Sequence, residues 1–302
     1  MTTLRRILRF RVISACVCAL LSLAAAGYAQ SLQSTLQQFA GDAVKGYIQP
    51  AGDLFGANMN AGMFHDAEIS KMGFHLSFDL IGMASMVGDA QKTYTANVPV
   101  PFNPPTYQTA TIFGGKAGIA TDAGTGFTYH GTVDGMVDTK VVPLAAPQLT
   151  IGDVYGTRAI IRFIATPEVS NFPKATLWGI GLQHSISQYV PAIPFNVAAH
   201  VFYNKFTFGS LIDFTGTSIG VEASKSFSIL RVYGGLAWEK STMKLTYTPD
   251  NVAFAPVDIT LDGANNFRAT IGLGLHIVFF SIFADANFGS ITNFSAGIGF
   301  GG

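Results

Sequence analysis

Three side chains that could serve a hydrolytic site stand two residues apart in the stretch Gly73-Phe74-His75-Leu76-Ser77-Phe78-Asp79-Leu80. Histidine, serine and aspartate can supply a base, a nucleophile and an orienting acid. Residues two apart on a strand are, however, separated by roughly 6.6 Å of rise, against the ~3 Å contact a nucleophile and its base require. Catalysis is therefore not expected. The six histidines, His65, His75, His130, His184, His200 and His276, include no two at close ligand spacing and have no cysteine partner, so no metal site is expected. No glycine-rich phosphate loop follows a strand and opens a helix, which leaves no case for a nucleotide or another cofactor.

The same stretch has a second pattern. Phe74, Leu76, Phe78 and Leu80 alternate with His75, Ser77 and Asp79, the period of a strand whose two faces meet different media. The apolar face could meet a protein core or lipid, and the polar face bulk water or a lumen.

Composition decides between them. The chain opens with Arg5, Arg6, Arg9 and Arg11, runs through the apolar stretch Val12 to Ala26, and reaches Gly27-Tyr28-Ala29. This is the pattern of a secretory signal peptide cut near Ala29. The apolar run of about 15 residues is short for a spanning helix, which needs roughly 20. Cys16, a superficial candidate for lipid attachment, precedes most of the apolar segment. Both cysteines, Cys16 and Cys18, fall within the signal, so the exported chain can use no disulfide. Removing the signal leaves a net charge of about −4, since four of the 18 basic residues go and all 18 acidic ones stay; nothing there favours nucleic acid. Charged residues are only 12% of the chain, about half the usual share, yet no apolar run after residue 30 is long enough for a transmembrane helix. Export, low charge and short alternating segments together indicate an antiparallel up-and-down β-barrel in a bacterial outer membrane. The expected organisation is a signal peptide at 1–29, a helix and plug-like leader at 30–71, and a barrel at 72–302.

Ten segments read as strands: 72–87, 108–121, 153–166, 174–189, 195–207, 210–225, 228–247, 257–278, 279–288 and 291–300. Eight, ten or twelve strands stay open, because residues 122–152 could hide another hairpin. Assigning the apolar faces to lipid points a set of polar and aromatic residues at the lumen: His75, Ser77, Asp79, Arg158, Arg162, His200, Phe202, Glu222, Tyr233, Glu239, His276, Phe283 and Asp285. A charge on the lipid face would cost about 2 to 4 kcal/mol per Arg or Lys near the midplane. The inward charges suit ion pairs across the lumen or a constriction selecting a polar solute. The inner Ile160, Ile164, Phe202, Tyr233 and Phe283 suit a partly apolar small-molecule ligand. Trp178, Trp238, Tyr203, Tyr247 and Phe288 are candidates for the aromatic girdles that flank a bilayer.

Ahead of the strands, Leu32, Leu36, Phe39 and Ala43 predict a short amphipathic helix over 31–46 on the periplasmic side. The Gly/Asn-rich stretch 52–62 predicts irregular backbone, read either as a plug at the periplasmic mouth or as a leader tucked beneath the barrel. Proline-rich residues 88–107 and the stretch 122–152 are the long loops.

Gly56-Ala57-Asn58-Met59-Asn60-Ala61-Gly62-Met63-Phe64-His65, the strand start Gly73-Phe74-His75-Leu76, and Pro143-Leu144-Ala145-Ala146-Pro147-Gln148-Leu149-Thr150-Ile151-Gly152 resemble an uncharacterised family of exported bacterial β proteins, a domain of unknown function. The resemblance covers most of the mature chain and implies the barrel without an activity. The plug is similar to that of outer-membrane channels for hydrophobic compounds, though their asparagine-proline-alanine motif is missing. His75 before Ser77 is similar to outer-membrane phospholipases, whose motif continues with asparagine and glycine, where Phe78 and Asp79 stand here. Phe294 to Phe300 resembles the closing strand that such barrels present to their assembly machinery, with Gly301 and Gly302 added after the terminal aromatic. Two functions follow as expectations. One is passive transport or binding of a small ligand in the lumen; the other is a structural or surface-interaction barrel acting through its long loops. A soluble periplasmic β-sandwich remains a third.

Overall fold

A computed structural model describes residues 43–167, 173–190, 193–247 and 256–302. In chain order, helix α1 (Ala43–Met59) precedes β1 (Met72–Met86), β2 (Thr93–Asn97), β3 (Thr106–Ala110), β4 (Ala120–Thr121), β5 (Thr128–Tyr129), β6 (Val141–Val154), β7 (Thr157–Ala165) and β8 (Ala175–Ser185). Then come β9 (Asn196–Phe208), β10 (Ile212–Phe227), β11 (Leu230–Tyr247), β12 (Val257–Asp262), β13 (Phe267–Ile277), β14 (Phe280–Phe288) and β15 (Asn293–Gly301).

Ten described strands close into one antiparallel barrel in the ring order β1-β6-β7-β8-β9-β10-β11-β13-β14-β15, and β15 pairs back onto β1 through Phe78↔Phe300 and Leu80↔Ile298. Strand β12 is an eleventh, paired with the far half of β11, where it takes up the ladder that β13 makes with the near half. Closure pairs the wall strands on both sides through the middle of the barrel, so the backbone polar groups there pair with one another.

The barrel has unlike ends. Tight turns join β6 to β7, β10 to β11 and β13 to β14, and the last strand and the start of β1 lie beside them. At the opposite end the chain between β1 and β6 makes a long excursion, residues 87–140, which carries the small β2–β3 and β4–β5 sheets. This excursion is the crown.

The outer wall is apolar. Phe74, Leu76, Phe78 and Leu80 are exposed, as are Leu236 on β11 and Ile271 and Leu273 on β13, the last two at 61% and 56%. Phe163, Trp178, Tyr203, Trp238, Phe267 and Phe288 stand at neighbouring register positions toward the crown, with Trp178 and Tyr203 ring to ring at 5.5 Å. Outward charges flank the band: toward the crown Lys205 pairs with Asp213 at 2.8 Å and Lys244 with Asp258 at 3.4 Å, and near the turn end Lys225 holds its Nζ 5.6 Å from the centre of the Phe227 ring. Phe227, Phe279, Phe280 and Phe300 mark the turn end. An apolar band between two rings of aromatics, with charges pushed past it, is the exterior of a bilayer-spanning barrel. Trp178, Tyr203, Trp238 and Phe288 of the expected girdle lie on it.

The barrel has ten strands, but not the expected ten. The segment 108–121 supplies no wall strand: β3 pairs with β2 outside the barrel. The missing wall strand is β6, inside the expected 122–152 loop. Its Pro143 and Pro147, which argue against a ladder, sit where β6 is paired with β1 only, because its pairing with β7 covers Gln148 to Val154; proline is tolerated on such an unpaired edge. The 257–278 segment is broken into β12 and β13. The leader differs more. Residues of the expected 31–46 helix up to 42 lie outside the described residues, and the observed helix runs on through the stretch read as irregular. Its glycines cost roughly 1 kcal/mol each against alanine, so packing rather than propensity holds it: Tyr47, Leu54, Ala57 and Met59 are fully buried. Gly56 serves that packing, since a Cβ there would lie 2.2 Å from Ser241 Oγ on the wall.

Candidate functional site

The candidate site is the barrel interior, and the leader occupies it. Helix α1 enters at the crown. Tyr94 Oη donates to the Ala43 carbonyl (3.0 Å), the Ile112 amide donates to the Tyr47 carbonyl (3.0 Å), and Tyr47 Oη donates to the Asp134 carbonyl (3.1 Å). Deeper, Asn58 Nδ2 donates to the Val142 carbonyl (2.7 Å), and Ser85 Oγ donates to the Leu54 carbonyl (2.8 Å). Asn293 also bonds to Asn58.

Past Met59 the chain continues down the lumen without regular secondary structure. Gly62 makes the bend possible with φ +64°, a conformation unfavourable for residues with a Cβ. Met63 packs among Ile160 and Phe202, and Phe64 stands over His200 and Tyr233 at 5.5 and 6.1 Å between rings. Gly235 leaves the room for it: a Cβ there would lie 2.8 Å from Phe64 Cζ. His65 stacks on Phe283 at 4.1 Å with its Nε2 3.7 Å from Asp79. The Ala67 amide donates to Ser224 Oγ (2.9 Å), and the Ser70 amide reaches Asp153 at the turn end (3.1 Å). There the chain reverses into β1. The leader thus threads the lumen from mouth to mouth, neither beneath the barrel nor a cap on the turn-end mouth.

Three buried arginines hold it. Arg162, with no exposed surface, donates to the carbonyls of Met59 (3.4 Å), Ala61 (3.2 Å) and Gly62 (3.0 Å) and to Gln148 Oε1 (3.0 Å). Arg268 is paired with Glu239 (Nε to Oε2, 2.8 Å) and gives a 2.7 Å bond to the Ala57 carbonyl. Arg158 joins Asp153 at 2.8 Å and lies 3.7 Å from Asp66, while it donates to the Glu68 carbonyl at 2.9 Å. Arg231 adds a 3.3 Å contact to Asp66. The wall therefore grips the leader mainly through backbone carbonyls, which present acceptors whatever the side chain.

All thirteen residues expected to line the lumen lie on the inner face. Ser77, Asp79, Arg158, Arg162, His200, Phe202, Glu222, Tyr233, Glu239, Phe283 and Asp285 are buried there, and His75 and His276 are half-buried toward the turn end. They do not converge on one point. His200 bonds to Glu222, which also accepts from Gln183 (2.6 Å); Tyr233 Oη donates to Asp285 (2.9 Å), beside Ser295. The rise argument fails for one pair, since the His75 side chain folds along the strand and brings its Nε2 to 3.3 Å from Ser77 Oγ. Arg268, Gln148, Asn204 and Asn293 are buried on the inner face as well, although they are not among the thirteen. Arg268 was accessible to the residue reading, standing one residue before the outward Ala269. The inner apolar residues Ile160, Phe202, Tyr233 and Phe283, suited to an apolar ligand, pack against Met63, Phe64 and His65 of the chain itself.

A closed, ten-stranded bilayer-type barrel with a polar interior filled by its own leader is the class this geometry defines. The chain belongs to a family of unknown function (DUF6588), whose model matches residues 6–302. No curated protein matches it. Among solved structures, it is similar to the attachment invasion locus protein Ail of Yersinia pestis in complex with the heparin analogue sucrose octasulfate, at 10% identity and a TM-score of 0.24 over 75% of this chain and 97% of that one. It is also similar to OmpF of Salmonella typhi in complex with daunomycin, at 9% identity and a TM-score of 0.24, over 76% and 97%. A mutant porin of Rh. blastica matches at 10% identity and a TM-score of 0.16, over 76% and 99%. The barrel assignment rests on strand pairing and surface chemistry, not on these scores.

Proposed function

We propose that the protein is a structural and surface-interaction barrel of the bacterial outer membrane, closed by its own leader, that holds the folded crown of residues 87–140 at the outer face. The observation that carries this reading is the Arg162 clasp at mid-lumen, where one fully buried guanidinium engages three leader carbonyls. A solute would have to break it to pass. The crown is built onto the plug through Tyr94, Ile112 and Asp134, which favours a single rigid unit over a lid on a pore. Lipid is the partner of the outer wall, and β15 is the natural handle for the assembly machinery.

A second reading, uptake of a small solute with the leader displaced, draws on a specific feature. Both carboxylate oxygens of Asp79 and both side-chain polar atoms of Asn204 are buried without a hydrogen bond, and such unsatisfied groups cost about 1 to 3 kcal/mol each. A seam left imperfectly matched is one that can part.

Conductance in planar bilayers separates the two. Purified protein is expected to be silent, and a variant lacking residues 43–70, checked for folding by its heat-dependent gel mobility, is expected to conduct. Steady conductance with the leader in place would sink the closed-barrel reading in favour of transport.

A further inference from the structure

The direction in which the leader runs has a topological result. Its helix begins at the crown, where the Ala43 carbonyl takes the Tyr94 hydroxyl bond, and its last residues are bound at the turn end, where Ser70 meets Asp153. Strand β1 starts at that same turn end, and the chain finishes there, with the Gly302 amide bonded to the Leu76 carbonyl (3.3 Å). The two approaches to the barrel are therefore on opposite sides of the wall: residues 71–72 and 302 at the turn end, residue 43 at the crown end.

Outer-membrane barrels keep short turns on the periplasmic side and long connections outside. Here the tight turns at Tyr155-Gly156, Ser228-Ile229 and Val278-Phe279 share one end and the 87–140 excursion rises from the other. We propose that the leader is an outward-running tether, so that whatever precedes Ala43 in the exported chain is displayed on the cell surface beside the crown. The inference rests on the outer-membrane reading above and adds a second displayed element to it. A leader that only plugged the pore from the periplasm would enter at the turn end and need to double back to reach β1; the observed strand of contacts from Asn58 through Arg162 to Ser70 runs one way. The grip by carbonyl contacts suits a segment that has to be drawn through the lumen, or closed around, whatever its sequence. Displayed residues would include the 30–42 stretch, rich in glutamine, serine and threonine and carrying a single charge, Asp42.

The test uses the cysteine-free mature chain, whose two precursor cysteines fall in the expected signal segment. Single cysteines are placed in the full chain at S31C ahead of the leader, A123C in the crown and I229C in the β10–β11 turn. Intact cells are treated with a membrane-impermeant maleimide, and labelling is compared with that after lysis. The expected result is S31C labelled on intact cells to the same extent as A123C, with I229C labelled only after lysis. Protection of S31C until lysis, with A123C still labelled, overturns the tether and leaves the surface-barrel reading standing. Protection of A123C on intact cells removes the orientation on which both depend. An epitope inserted after Gln30 gives the same readout should S31C fail to assemble.

Discussion

Replacing Glu239 by glutamine tests the buried wiring of the barrel directly. Glu239 and Arg268 are almost completely buried, with side chains 1% and 4% exposed. Glu239 takes two bonds from Arg268, at 2.8 and 3.2 Å, and Arg268 passes a third to the Ala57 carbonyl near the end of α1 (2.7 Å). Glutamine keeps the shape and one acceptor oxygen but removes the charge, so the guanidinium is left buried without compensation. Breaking a buried pair from one side costs about 3 to 5 kcal/mol. The double variant E239M/R268M removes the orphaned charge and leaves no polar side chain at either position. What then persists is the Ala57 carbonyl without its donor, worth about 1 to 3 kcal/mol, so the double variant is expected to be more stable than E239Q alone by roughly 2 kcal/mol, the difference between those two ranges. Urea unfolding in lipid vesicles, followed by tryptophan fluorescence and by heat-dependent gel mobility, reads both. The reasoning is refuted if E239Q unfolds within ~1 kcal/mol of the native protein, or if the double variant is less stable than the single one.

Three further outcomes follow from other parts of the structure. Ile271→Lys places a charge on the wall at a position 61% exposed to the surroundings; it is expected to cost about 2 to 4 kcal/mol in lipid vesicles, whereas the same exposure to water would predict almost no effect in a urea titration. Gly62→Ala forces a Cβ onto a residue at φ +64° and to 2.7 Å from Ile81 Cγ2, so a loss of at least 1 to 2 kcal/mol and easier proteolysis of the leader are expected; unchanged unfolding would show that the bend relaxes. In the crown, the Thr125 hydroxyl bond and the amides of Asn103, Thr125 and Gly124 hold the Asp122 carboxyl below its usual range. A depressed carboxylate contributes stability that is full above its unfolded value near pH 4 and lost as pH falls through the lower folded value. Amide exchange in residues 120–129 is expected to accelerate in that acid window, and Asp122→Asn, uncharged throughout, to abolish the pH dependence.

Much of the wall was legible because its information is local. A lipid-facing position admits no charge, so alternation along a single strand states both that the strand exists and which way each side chain points; Phe74 to Leu80, Arg158 and Arg162, and Val232 to Glu239 all follow from it. Membership of the wall is not local. Residues 106–110 do form a strand at the start of the expected 108–121 segment, yet they pair with β2, because nothing in a strand's own residues names its neighbour. β6, with Pro143 and Pro147, does not look like a strand until its partner β1 is known and β7 is seen to end short of both prolines.

What the amino-acid sequence determined by itself is therefore the two-sided chemistry of this protein: an apolar exterior, and polar and aromatic side chains turned inward. The tertiary structure alone decided what those inward side chains meet. Helix α1 has poor intrinsic propensity and the irregular stretch after Met59 has no periodicity of its own, since both take their conformation from the cavity they fill. The ion pairs join residues as distant as Asp66 and Arg231, and closing such contacts needs the whole ring of strands in place. The inner face packs against the chain's own leader, a contact carried by no single segment of the sequence.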